Sequence, residues 1–333
     1  MNKILSAATI AALAAVLSVA RAGPEEHLIK NLPGLNYTTN FKMYSGYIQV
    51  NETHNKNLFY WFVESQRDPA TDPVVLWLQG GPGGSSLYAL FVEHGPFRVA
   101  PDGETLYPFE QSWNKYANVI YLESPVHVGF SYSDSQRDVV STDEIVASEN
   151  YVFIRKWLEL FPEFASNEFY LSGESYAGHY IPTLAREIVK QDVNKKINMR
   201  GFMIGSPYTN GDCYMQTAEK KADVWPFLTF LYSHGLVSQS VYEEAYQACG
   251  WEGYMESCDR SFVITSDDCV TAVNKALKQV PTDIDVYNID GDVCLDSNYY
   301  RHTSQWNYLT SFMEQRRMYE NAEPGHPVDP CVK

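Results

Sequence analysis

Between about residues 40 and 205, short apolar runs alternate with stretches whose apolar positions recur at helical spacing. Strands are predicted over 44–50, 58–63, 74–78, 119–122, 169–172 and 202–204, each rich in β-branched and aromatic residues. The clearest helix is predicted to open at Ser141, with Glu144 completing a capping box. Its spacing puts Ile145, Val152, Phe153, Trp157 and Leu160 on one buried face. Strands interleaved with helices predict the α/β class with a mostly parallel sheet. After Gly205 the alternation stops and aromatic helical segments such as 224–232 take over. Residues 23–205 therefore read as the core and 206–333 as a cap or insertion.

Residues 1–22 are set apart from the fold. Lys3 precedes an apolar run from Ile4 to Ala20, and Ala20-Arg21-Ala22 supplies small residues at the cleavage positions, so a signal peptide is expected. The competing reading, a membrane anchor, is disfavoured because the run is short and alanine-rich. A leader of this kind directs the chain to the secretory pathway, with a lysosome, a vacuole or the cell exterior as destination and no anchor after cleavage. The net charge of −16 argues against a nucleic-acid partner. An acidic surface also suits work below neutral pH, without requiring it. All six cysteines, Cys213, Cys249, Cys258, Cys269, Cys294 and Cys331, lie in the second region. In an oxidising compartment disulfides are the default, and the spacing resembles no metal site, so neither metal nor cofactor is expected. The sequons at Asn36 and Asn51 fit the same compartment as candidate glycosylation sites.

Two constellations carry chemistry. Gly173-Glu174-Ser175-Tyr176-Ala177-Gly178 follows a predicted strand and opens a predicted helix, the context of a nucleophile elbow that lifts Ser175 above the sheet edge. Ala177 stands where the general pattern has glycine, a departure its small size tolerates. The second, Trp77-Leu78-Gln79-Gly80-Gly81-Pro82-Gly83-Gly84-Ser85-Ser86, is a glycine-rich turn directly after a strand. Its backbone amides can approach a developing oxyanion. A phosphate loop is excluded because no Gly-Lys-Ser/Thr follows.

These runs, together with Glu93-His94-Gly95-Pro96 and the stretch from Glu123-Ser124-Pro125 to Gly129-Phe130-Ser131-Tyr132-Ser133, resemble the serine carboxypeptidases, and within them the animal lysosomal branch. The resemblance runs from about Leu32 to Cys331. It implies an α/β-hydrolase fold, a helical disulfide-bonded cap, and release of single C-terminal residues from peptides through an acyl-enzyme. It implies Ser175 as nucleophile, the amides of Gly81 and Tyr176 as oxyanion hole, and Gln79, Gly80, Glu93 and Glu174 around the substrate's terminal carboxylate. Two acids in one pocket cannot both ionise cheaply, so one proton is retained and can be donated to that carboxylate. The resemblance also implies bridges Cys249–Cys269 and Cys294–Cys331, leaving Cys213 and Cys258 unassigned. Gln79 stands where the family has Asn, and Gly84 where it has Cys.

The family's acid and base follow the serine on later strands, and the expectation is that this chain ends before both, with the fold's C-terminal strands missing. The string Tyr287-Asn288-Ile289-Asp290-Gly291-Asp292, with His302 or His326 beyond it, echoes an acid-bearing loop but aligns with the cap. His179, just behind Ser175, is expected to be packed rather than to act as base. Three functions stay open: a serine carboxypeptidase in a shortened form with impaired catalysis, a non-catalytic lumenal binding or protective protein, and an acyltransferase on the same scaffold. Strand 202–204 is expected to present an open apolar edge, so a homodimer or a lumenal protein partner is expected to cover it.

Overall fold

The computed structural model describes residues 23–100, 102–209, 224–251 and 266–281, with 284 and 289. The expected leader, Cys213, Cys258, Cys294, Cys331, Asp290, Asp292, His302 and His326 lie outside the described residues. Two compact units divide the chain, residues 1–209 and 210–333.

The first unit is built on a six-stranded sheet. In chain order its strands are β1 (Met43–Asn51), β2 (Lys56–Val63), β3 (Val74–Leu78), β6 (Asn118–Leu122), β7 (Phe169–Glu174) and β8 (Met199–Gly205), while β4 (Phe97–Val99) and β5 (Leu106–Pro108) form a separate hairpin. The spatial order is β1-β2-β6-β3-β7-β8. β1, β2 and β6 pair antiparallel; β6, β3, β7 and β8 pair parallel. Strands covered on both faces need no polar alternation, and β3 and β6 are buried at every position.

Helix α1 (Asp143–Leu160) and helix α2 (Ala177–Gln191) pack on this sheet. One face carries an aromatic core in which Phe62 meets Trp157, Phe161 and Phe164 at ring-centroid distances of 4.9, 5.4 and 5.1 Å. The other buries Trp77, Leu90, Phe97 and Tyr121. Helix α1 starts differently from the expectation: Thr142 is the cap, its hydroxyl accepting the Ile145 amide at 3.4 Å. The buried stripe runs through Val146, Asn150, Phe153 and Trp157, at spacings of three and four residues, which leaves Ile145 exposed and Val152 and Leu160 half-buried.

A buried charge cluster fastens the start of β2 to α1. The Lys56 ammonium donates to Glu149 at 2.7 Å and lies 3.2 Å from Asp138, which also takes bonds from Ser133 at 2.5 Å and His54 at 3.1 Å. Burial alone would raise the Asp138 carboxyl, but bonds from Ser133, His54 and Lys56 prevail and hold it down at about 2. β8 lies at the edge of the sheet, with Phe202 and Met203 exposed.

The second unit contains helices α3 (Val224–Ser233), α4 (Gln239–Ala248) and α5 (Asp267–Leu277). They bury Leu228, Leu231, Val241, Ala245, Trp251 and Val273 in a core of their own. A Cys249–Cys269 disulfide joins the end of α4 to α5, as the resemblance implied. Among the described residues no helix is long and apolar enough to cross a membrane.

Candidate active site

β3 and β7 are parallel neighbours with Leu78 opposite Gly173. Their next residues therefore leave the same carboxyl end of the sheet side by side, Gln79 and the glycine turn from one, Glu174 and Ser175 from the other. This edge is where open α/β sheets place ligands.

Ser175 stands at the tip of the β7–α2 junction with φ +55°, a left-handed conformation that costs a non-glycine residue energy and marks functional turns. Its backbone is tied on both sides: the amide donates to the Gly205 carbonyl at 3.0 Å, and the carbonyl accepts from Gly178 at 2.9 Å and Tyr208 at 2.8 Å. Small neighbours are mandatory. A Cβ on Gly173 would meet the Leu78 oxygen at 2.3 Å and the Ala177 Cβ at 2.5 Å, and one on Gly178 the Tyr208 oxygen at 2.2 Å. The Ser175 side chain remains exposed.

The glycine turn lies directly against this elbow. A Cβ on Gly80 would sit 2.7 Å from the Glu174 oxygen and the Ser175 Cβ, and 2.8 Å from the Tyr176 amide nitrogen. Gly81 adopts φ +119° and Gly83 φ +82°, conformations suited to glycine, and the Gly83 amide donates to the Tyr180 hydroxyl at 3.2 Å.

Beside the elbow, Gln79 holds two carboxylates. Its amide nitrogen donates to Glu174 at 2.6 Å and to Glu93 at 3.2 Å, while its oxygen accepts the Trp77 indole N–H at 2.9 Å. The indole bond decides the orientation of the amide, since only the nitrogen can face two acceptors. Burial, then the Glu174 carboxylate, pushes Glu93 up to about 7. Glu93 arrives on a helical turn at 86–88 that continues as a π-type turn, Ala89–Glu93, and the Arg98 guanidinium donates to its carbonyl. His94, next to it, is buried between Trp77 and Trp113 at 4.3 and 4.2 Å, and burial lowers it to about 4.

Behind Ser175, the Tyr176 ring stacks on His179 at 4.9 Å, and its hydroxyl donates to Asp143 at 3.4 Å. The His179 ring lies 3.6 Å from the same carboxylate, so it is packed against α1. Among the described residues no imidazole hydrogen-bonds the Ser175 hydroxyl, and no group of three metal-ligating side chains occurs.

Ser175, Gly81, Tyr176, Gln79, Gly80, Glu93 and Glu174 are thus brought to one sheet edge from three chain segments. Asn36 and Asn51 lie elsewhere, on exposed segments. Sequence reasoning missed Trp77 and Arg98 as partners of the pocket. Trp77 sat inside the quoted motif, but nothing in a string tells which way its ring turns.

The family model described as serine carboxypeptidase matches residues 33–324. Serine carboxypeptidase-like 20 of Arabidopsis thaliana is 41% identical over 77% of this chain and 52% of its own length. Serine carboxypeptidase-like 38 of the same plant is 38% identical over 92% of this chain and 57% of its own. The chain spans about half the length of the curated relatives it matches. Among solved structures, a prohormone-processing carboxypeptidase of Saccharomyces cerevisiae superposes with a TM-score of 0.64 at 24% identity, covering 88% of this chain and 66% of that one, a likeness of fold.

Proposed function

Because the chain belongs to the serine carboxypeptidase family, with its α/β-hydrolase fold, we propose that its site serves release of single C-terminal residues from peptides at acidic pH. The observation that carries this reading is the Gln79 bridge between Glu93 and Glu174 beside an exposed serine at a left-handed turn. A serine elbow alone fits esterases and transferases equally. Two acids sharing a pocket, one retaining its proton, suit a ligand that itself ends in a carboxylate.

In this reading the Ser175 hydroxyl attacks the last peptide carbonyl, and the Gly81 and Tyr176 amides receive the negative charge. The protonated member of the acid pair donates to the terminal carboxylate, oriented by Gln79 and close to Gly80. Residues 206–333 act as cap, and Asn36 and Asn51 carry glycan in a lysosomal, vacuolar or extracellular setting. Nearness to the animal lysosomal member cathepsin A belongs to the same proposal and rests on the motifs quoted above.

The test is incubation of a blocked peptide at pH 5 with mass spectrometry of the products. Loss of one C-terminal residue, abolished by Ser175→Ala, is expected; internal cleavage, or activity surviving the substitution, would sink the reading. In an active form Glu174→Gln should extend activity towards neutral pH. A second reading, a lumenal binding protein that keeps the pocket without the reaction, draws on the lack of an imidazole bonded to Ser175 among the described residues. Titration with a phosphonofluoridate separates the two, since labelling of Ser175 requires an activated hydroxyl.

A further inference from the structure

We propose that Glu123 is a positioning residue for the glycine turn, holding its amides against Ser175 through Ser85; the functional weight of this inference rests on the carboxypeptidase reading. Glu123 follows the last residue of β6 and is fully buried. The Ser85 hydroxyl donates to one of its carboxylate oxygens at 2.6 Å, and the Phe130 amide to the other at 3.1 Å. Among the described residues no lysine, arginine or histidine pairs with it.

A buried carboxylate without a cation is costly, and a purely mechanical tie between two loops could be made by an amide or a hydroxyl. What the carboxylate adds is two strong acceptors pointing in fixed directions. One takes the far end of the glycine turn and the other takes the 127–131 loop. The loop is shaped around it: Gly129 adopts φ +51°, and a Cβ there would lie 1.2 Å from the carboxylate oxygen. The turn has its own ties at Ser86, which accepts the Gln79 amide at 3.1 Å, and at Tyr180. Glu123 supplies the charged one. Ser131 provides an internal control, because its hydroxyl bonds the Glu123 carbonyl at 2.6 Å and the Phe59 amide at 2.8 Å without touching the carboxylate or the turn.

Hydrogen exchange followed by mass spectrometry on the full chain tests this. In Glu123→Gln and in Ser85→Ala, the amides of Gly80, Gly81, Gly83 and Gly84 should exchange about tenfold faster, with α1 and β6 unchanged. Ser85 also accepts the Leu87 amide at 3.2 Å, so Ser85→Ala removes a cap as well. The double variant separates the effects: if Ser85 acts on the turn through Glu123, it exchanges no faster than the faster single. Ser131→Ala should leave the turn unmoved. Calorimetry with a blocked dipeptide bearing a free carboxylate should show affinity about tenfold weaker in Glu123→Gln and unaltered in Ser131→Ala.

Unchanged exchange of the turn in Glu123→Gln overturns the inference. So does faster exchange of every segment together, which would make Glu123 a general structural group, and so does local loosening with undiminished affinity. Should the unsubstituted chain bind no such peptide, the carboxypeptidase reading fails, while the exchange results still decide whether Glu123 holds the turn.

Discussion

Glu93 and Glu174 share one amide, whereas Asp138 and Glu149 share a lysine. Both pairs belong to the first unit, yet Glu93 and Asp138 are shifted in opposite directions. Glu93 is pushed up to about 7 by burial and by Glu174, and Asp138 is held down at about 2 by Ser133, His54 and Lys56. The lysine cluster has a cation between its two carboxylates, and its bonds fasten β2 to α1. The glutamate pair is left electrostatically unfinished at the sheet edge, an arrangement a self-contained structure has no reason to keep.

The contrast extends to pH. A carboxyl whose folded value lies above its unfolded value of 4.5 binds its proton more tightly in the native state, so the Glu93 site favours folding below about 4.5 and loses that contribution as pH rises through about 7. Asp138 has the reverse sign: its contribution is present above the unfolded value of 3.8 and is lost only as pH falls through about 2. Between these limits lies a mildly acidic window in which both favour the fold.

Removing the cation should break the contrast most severely. Lys56→Met leaves Asp138 and Glu149 buried without it and should cost about 3 kcal/mol in urea unfolding at pH 6. A loss below about 1 kcal/mol would show the cluster to be unimportant. Glu93→Gln should do the opposite, stabilising the protein by about 1 kcal/mol at pH 8 after allowance for solvent screening, and flattening the loss of stability between pH 4.5 and 7. An unaltered pH slope would show that the pair does not repel. His54→Gln should be the mildest. That side chain is 44% exposed, so a fall of a few tenths of a kcal/mol, about 1 °C in melting temperature, is expected at pH 5.

The two clusters also differ in how far they could be read from sequence. Glu93, Glu174 and Gln79 belong to motifs, and their meeting was expected from the family resemblance. Nothing local joins Lys56 to Glu149, 93 residues away, and the pairing exists only because β2 packs beside α1. β3 matched its expected limits because an unbroken apolar run needs no periodicity to be seen, while the three-residue strands β4 and β5 carry too little pattern. The first turn of α1 was misread because Ser141 and Thr142 are both plausible caps, and Ile145 faces outward because it lies off the stripe of Val146, Asn150, Phe153 and Trp157, spaced three and four residues apart. The Trp77 indole bond and the Ser85–Glu123 tie depend on side-chain direction, to which a linear pattern is blind.

The Leu78–Gly173 register works as a ruler between the two halves of the site. Sliding one strand past the other by a single step would carry the hydroxyl about 3.3 Å along the strand axis and turn alternate side chains to the wrong face. A one-residue insertion within β3 or β7 should therefore uncouple the elbow from its facing amides even where the aromatic core survives. The same insertion in the turn between β4 and β5, which belong to a separate hairpin, should leave that coupling intact.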